Sequence, residues 1–534
     1  MVNVEVQALI SILQRAGNEL PEQQRWPVAI DTWFTYCDDQ EMQSLFQELL
    51  QLKPPQGERE QAAWGRLIDQ FVDQQRKHGR TSGAPTGPAR QDLMDLYHFL
   101  GAASTIRQQV LLLLAMQTED ASTEAMVSLL IHDPPAEVSG FAVALSPYLQ
   151  RDTSWDLLFP ALFQALKHPV AAAAIIDLAN YLCRADKVTP HPAAEITVQL
   201  EGLLKGVVEQ LSMIEDGSIL KSQPDLTAQA MAEQVNQGVG LAVSLCDAIA
   251  LTGNEETTAI LFQAMSLGHR RVQVEAAAAL VRLQQDGGRQ RLVTLAEEPA
   301  VRVRVLHYAE ELAILDEVDS EYKTDVAVAE GKLALHLAEP HIMGLAPRSM
   351  ELYEQAELFW PGFDDVQTCS LFRYEYIIGD KPLMNIGLGA PEVQSVRADL
   401  THLSPEDIYA LFAADSIVHE EIFEMDADDL DSQAELDKVR LTRRLHDRGY
   451  SSIQPVHLGF FFGDRVLTAY ATRDDETGVV VVDASDDHWF CSRSEVRPLM
   501  AQDVYNIYKG RKLLLTFNPD FSATASPTAE PDHE

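Results

Sequence analysis

The feature that most restricts the fold of this chain is the return of apolar, alanine-rich helical stretches about every 30 residues. His269–Leu283 (HRRVQVEAAAALVRL) and Glu298–Leu312 (EPAVRVRVLHYAEEL) align at an offset of 29, so that Val272 matches Val301, Val274 matches Val303, Ala276 matches Val305 and Leu283 matches Leu312. Upstream, Leu245, Ala248 and Leu251 match Ala277, Leu280 and Leu283 at an offset of 32. An earlier pair, Asp133–Leu149 and His168–Leu182, brings Tyr148 and Leu149 onto Tyr181 and Leu182 at an offset of 33. Both members of that pair open with a proline, which a helix tolerates in its first turn because that N–H has no intrahelical partner. Shorter helical stretches fall between them: Thr123–Ile131, Trp155–Leu166, Thr257–Ser266 and Arg289–Glu297. One helix pair of this length cannot bury its apolar face alone, so neighbouring pairs must stack.

Arg271-Val272-Gln273-Val274 and Val301-Arg302-Val303, each running into an apolar helix, resemble HEAT repeats of the short, phycobilin-lyase-like kind. The resemblance covers roughly residues 92–318 and implies an α-solenoid over 92–320. It also implies a protein-binding scaffold. Some bilin lyases and hydroxylases share the fold, so a chromophore-lyase or chaperone-like role is a further implication, and architecture is better specified than activity. Residues 1–91 read as N-terminal helices closed by a linker, His78–Gln91 (HGRTSGAPTGPARQ), rich in Gly, Pro, Ser and Thr.

After about Ser320 the texture changes. Ser370–Ile378, Leu383–Gly387, Val456–Phe462, Val466–Ala471 and Val479–Val482 have strand composition, with Gly379-Asp380 and Gly463-Asp464 at hairpin turns. Helices are expected at Pro347–Phe359, Ser404–Met425, Leu430–Arg448 and Ala501–Lys509. The expected fold is therefore mainly α: a HEAT-like α-solenoid followed by a smaller α+β domain over 321–518. Two related halves are suggested by FRYEYIIGD (372–380) beside GFFFGD (459–464), and by EDIYALF (406–412) beside QDVYNIY (502–508) at an offset of 96. Residues 519–534 have the composition of a disordered tail.

Charge narrows the partners. A net charge of −40 over 534 residues repels nucleic acid and anionic membrane, which leaves another protein as the expected partner. Five scattered cysteines with no CxxC pair read as reduced thiols rather than a disulfide framework or zinc site. The N-terminus lacks a basic, cleavable leader, and the longest apolar runs, Val110–Met116 and Val170–Ile176, are too short to span a bilayer; the expected compartment is the cytoplasm.

The candidate sites are few. Twelve acidic residues and no Lys or Arg occupy His402–Asp437, directly before Lys438, Arg440, Arg443, Arg444 and Arg448. Ser404 with Pro405 reads as a helix cap, and acids near the start and bases near the end of the second helix suit its macrodipole. The alternative is an acidic docking face or a cation site. Asp426–Asp431 fails as a calcium loop because Asp431 stands where glycine is needed. Asp415 and His419, four apart, have the spacing of a ligand or metal pair, although a solvated acidic helix accounts for them as well. Asp486, Asp487, His488, Trp489 and Cys491 form a second polar cluster, with His488 the candidate ligand group. Within His269–Arg304 seven arginines face four acids. These charges can pair between repeats as a ladder, or Arg270, Arg271, Arg302 and Arg304 can meet an acidic partner, the chain's own C-terminal domain included. With no phosphate loop, GxSxG or dinucleotide fingerprint, neither a catalytic residue nor a cofactor or metal is expected. The leading function is a non-enzymatic scaffold or adaptor; the alternative is a ligand sensor or enzyme with its site in the α+β domain.

Overall fold

The structure, a computed structural model, describes residues 4–16, 26–36, 39–78, 88–101, 104–135, 138–150, 155–253, 257–339, 341–416, 422–461, 463–485, 488–492, 497–519 and 521. The chain divides into two compact units, Met1–Arg291 and Leu292–Glu534. The division falls earlier than the change of texture near Ser320, because the helix carrying Arg302 packs against its successor, which in turn lies on the strands of the C-terminal part.

The first unit is helical. Four helices come first: α1 (Val4–Ala16), α2 (Trp26–Tyr36), α3 (Asp39–Leu49) and α4 (Glu58–His78). The expected linker lies largely in 79–87, outside the described residues. After it come α5 (Arg90–Leu100), α6 (Ile106–Met116), α7 (Asp120–His132), α8 (Val138–Leu145), α9 (Pro169–Arg184), α10 (Thr197–Glu215), α11 (Ile219–Ser222), α12 (Ala228–Thr252), α13 (Thr258–Met265), α14 (Arg270–Arg282) and α15 (Asp286–Thr294). Packing runs from α4 to α6, α8, α9, α12 and α14 in turn, while α5 and α7 lie against α6 and α10 and α13 against each other. Ala276, Ala277, Ala278 and Ala279 are fully buried in α14, where short side chains let helices approach closely. One helix among the described residues, α12, is long and apolar enough to cross a membrane; half of that stretch is buried here against α9, α10 and α14.

The second unit is α+β. It opens with α16 (Pro299–Glu311) and α17 (Asp325–Leu337), followed by an antiparallel meander of β1 (Ser349–Phe359), β2 (Val366–Ile378) and β3 (Lys381–Ala390), then α18 (Pro405–Ala413). Next come β4 (Ile422–Asp426), α19 (Ser432–Asp447), β5 (Ser451–Phe461), β6 (Asp464–Arg473), β7 (Glu476–Asp483), β8 (His488–Ser492) and α20 (Ala501–Phe517). β4 to β8 form a five-stranded antiparallel sheet in sequence order. Strand alternation divides each sheet between two cores. Phe372, Tyr374 and Tyr376 of β2 face α17, whereas Cys369 and Leu371 face α18. Leu467, Ala469, Val480 and Val482 face α19, whereas Val466, Val479 and Val481 face α18 and α20. The paired helices α18 and α20 thus lie between the sheets, and Gly510 makes their close approach possible: a Cβ there would stand 1.7 Å from the Ala410 carbonyl oxygen.

Two expected helices are corrected. Pro347–Phe359 is mostly strand β1, and the long helix over Ser404–Met425 ends at Ala413, with strand at Ile422–Asp426. In both, Glu, Ala, Leu and Met favour helix locally, and pairing with β2 and β5 overrides that preference. The GFFFGD turn joins β5 to β6, whereas FRYEYIIGD joins β2 to β3, so the two turns stand at different points of their meanders when α18 and α20 are matched.

Candidate binding groove

The groove is built on the strand the sequence disguised. Among the described residues β1 is an edge strand, paired on one side only. Its Leu358 is buried and Ala356 half-buried towards α18, which commits SMELYEQAELF to a strand despite its helix-forming composition. At its end, Phe359 donates its N–H to Asn518 Oδ1 at 2.8 Å and accepts from Asn518 Nδ2 at 3.2 Å. These backbone groups therefore point away from β2. Alternate residues of an antiparallel strand point the same way, so Gln355 and Glu357 present their N–H and C=O on the same outer edge. Among the described residues no hydrogen-bond partner takes them. A bulge between Leu352 and Glu354 bends the strand just before this stretch.

Beside that edge runs an open groove of about 510 Å³. One wall is Glu354, Ala356, Leu358 and Phe359 of β1; the other is the N-terminal half of α18 (Pro405, Glu406, Tyr409) and the end of α20 with Phe521. Ser404 caps α18, its Oγ accepting from the Asp407 N–H, and Tyr409 Oη donates to the Cys369 carbonyl at 3.1 Å, which locks α18 onto the sheet. Burial raises the Tyr409 phenol, and Cys369, Glu354 and Glu406 push it further the same way, so it serves as a neutral donor. Asp407 turns away from the groove to pair with Arg511, whose guanidinium lies 4.7 Å over the Trp489 ring. Burial raises the Asp407 carboxyl while Arg511 draws it down. Apolar side chains remain uncovered in the groove: Phe359 is 43%, Val366 44% and Phe517 50% exposed. Glu354, Glu357 and Glu406 supply its charge, and no Lys or Arg lines it among the described residues. The glutamates and bulge also guard the edge against indiscriminate pairing; the converging aromatics do not serve that purpose.

The structure distributes the other candidates elsewhere. Arg302 is buried, and its guanidinium donates to the carbonyls of Ala296, Glu297 and Ala327 and pairs with Glu330. It joins α16 to α17 and cannot face a partner, which corrects its reading as a docking arginine. Arg304 is half-buried; Arg270 and Arg271 are exposed, Arg270 donating to Gln273 Oε1 at 3.2 Å. Ion pairing between helices does occur: Asp247 of α12 takes both Arg184 of α9 and Arg282 of α14.

Asp415 accepts from Asn506 at 3.0 Å; burial raises its carboxyl while Lys509 draws it down. His419 lies outside the described residues. Among the described residues no three His, Cys, Asp or Glu are grouped to hold a metal. His488 meets Arg448 and lies edge-on to Tyr450. Three positions along β8, Cys491 faces the opposite side, where burial pushes its thiol up to about 11. Asp486 and Asp487 lie outside the described residues, and the remainder of that cluster, His488, Trp489 and Cys491, lies on strand β8. Of the expected tail, Pro519 and Phe521 line the groove, and residues after Phe521 lie outside the described set. The sequence signal that could have found the groove is the apolar phase of Ala356, Leu358 and Trp360, which recur at every second position.

No protein-family description, no curated protein and no solved structure matches this chain.

Proposed function

We propose that this chain is a non-enzymatic, cytoplasmic protein–protein interaction adaptor: a HEAT-like solenoid whose C-terminal α+β unit carries a docking groove. The observation that carries the reading is the groove itself, where exposed aromatic side chains, three glutamates and the outer edge of β1 converge, with no Lys or Arg in the lining and no second strand on that edge among the described residues. Apolar surface gathered in one place with a polar rim is the mark of a binding site. Covering Phe359, Val366 and Phe517, each about half exposed, would contribute roughly 1 kcal/mol apiece. The stepwise helix packing of the first unit, with Asp247 tying three helices together, supports the solenoid reading. Burial also keeps the Cys369 and Cys491 thiols protonated, pushing them up to about 12 and about 11, which supports binding over catalysis.

The test is affinity purification of the full-length chain from its own cells beside a Glu354→Lys, Glu406→Lys double variant. A stoichiometric partner that falls at least tenfold with the variant supports the reading. Equal recovery moves the docking site away from the groove, and recovery of no partner by either form rejects the adaptor.

A further inference from the structure

We propose that the groove is occupied by an extended, lysine- or arginine-bearing segment of another protein, which adds as a fourth strand to the free edge of β1. The inference rests on the adaptor reading and specifies how the partner is held. Gln355 and Glu357 offer two N–H and two C=O groups on the outer edge, the arrangement by which a sheet accepts a further strand. Asn518 already bonds to Phe359 as an incoming residue would, so the edge is shaped for backbone recognition and is stopped at its far end.

An added strand has side chains on two faces. On the α18 side they meet Ala356, Leu358 and Tyr409, flanked by the carboxylates of Glu354 and Glu406. On the other side they meet Glu357 and Phe359. A segment alternating basic and apolar residues fits both.

Charge selects this occupant over two others. The chain's own tail, SATASPTAEPDHE, carries Glu530, Asp532 and Glu534 and no Lys or Arg, so the glutamates repel it. Pairing of β1 with a second copy of itself would set Glu354 and Glu357 of one copy near those of the other, and like charges across strands oppose pairing. A basic segment neutralises the same carboxylates.

The experiment uses the full-length chain and a fluorescein-labelled peptide, Val-Lys-Val-Lys-Val-Lys-Val, read by fluorescence anisotropy. A second peptide of identical charge carries a methyl on every backbone nitrogen, which removes strand pairing and keeps general attraction to an acidic protein. Saturable binding is expected, weakened at least tenfold by methylation, by Gln355→Pro and by Glu354→Lys. Proline at 355 removes an outward N–H and leaves the β2 ladder intact; the methylated peptide makes the same test on the unaltered protein. Equal binding of both peptides, or no binding, overturns strand addition. So does binding that appears only after residues 522–534 are removed, which assigns the edge to the tail, or dimerisation abolished by Gln355→Pro, which assigns it to a second copy. Each of these leaves the adaptor reading intact, since that reading falls only when affinity purification recovers no partner.

Discussion

Replacing Gly510 with alanine puts one methyl group where α18 and α20 touch. The added Cβ would lie 1.7 Å from the Ala410 carbonyl oxygen and 2.5 Å from its carbon, against about 3.3 Å for an ordinary carbon–oxygen approach. The obstacle is backbone, so no side-chain rotation relieves it, and the helices must separate by about 1.5 Å. Overpacking of this kind costs about 1–3 kcal/mol, and a rigid backbone contact belongs at the upper end. A loss of about 3 kcal/mol raises the population of locally opened states about 150-fold. Hydrogen exchange followed by mass spectrometry, on peptides spanning Pro405–Ala413 and Ala501–Phe517, should show acceleration of that order. The groove should loosen with it, since its second wall is the start of α18 and the end of α20. Protection of α18 and α20 within threefold of wild type would refute the packing argument. Gly206→Ala in α10 is the control, for nothing lies within 4 Å of its added Cβ; relief of glycine's backbone entropy there should slow exchange by up to about fivefold, or about 1 kcal/mol.

Other substitutions test other joints. His191 is buried with Nε2 3.0 Å from Asn180 Oδ1 while Nδ1 accepts from the Ala193 N–H, an arrangement that requires the neutral ring. Burial lowers its pKa to about 4, with Asp247 opposing. The depressed value means its stability contribution is complete above about pH 6.5 and is lost as pH falls through about 4, roughly 3 kcal/mol in all. Urea unfolding from pH 7 to 4 should show that extra pH dependence in wild type and not in His191→Gln; parallel curves would refute the assignment. Arg302→Ala leaves Glu330 and three backbone carbonyls without their donor, and should cost about 3 kcal/mol or more in urea unfolding of the second unit; a change below about 0.5 kcal/mol would show the contacts to be incidental. Glu354→Lys with Glu406→Lys should leave melting temperature within a few degrees, because both carboxylates line an open groove, and abolish partner recovery.

Periodicity carried several helices of the first unit, α7, α9, α13 and α14 among them, and much of the second, while α10 went unread. The Val–Ala faces of α14 and α16, the Ser404 cap of α18 and the strands of β2, β5, β6 and β7 were legible because local pattern and tertiary burial agree there. Strand β1 was not. Met350, Glu351, Leu352, Glu354, Ala356, Glu357 and Leu358 are helix formers, and an edge strand has only one partner to contradict them. Arg302 was misplaced for a related reason. Sequence spacing put it in line with Arg304, but the two occupy different sides of α16, and only the structure shows which side is covered. The groove draws on Glu354, Glu406 and Phe517, separated by 52 and 111 residues, and no local motif registers that convergence.

A partner docked on the second unit through β1, as proposed, would shield that strand from solvent. The most direct measurement is hydrogen exchange of the full-length chain with and without its purified partner, resolved over Ser349–Phe359. Slowed exchange at Gln355 and Glu357, with protection extending to the start of α18, is expected. Unchanged exchange along β1, with protection confined to helices of the first unit, would contradict it.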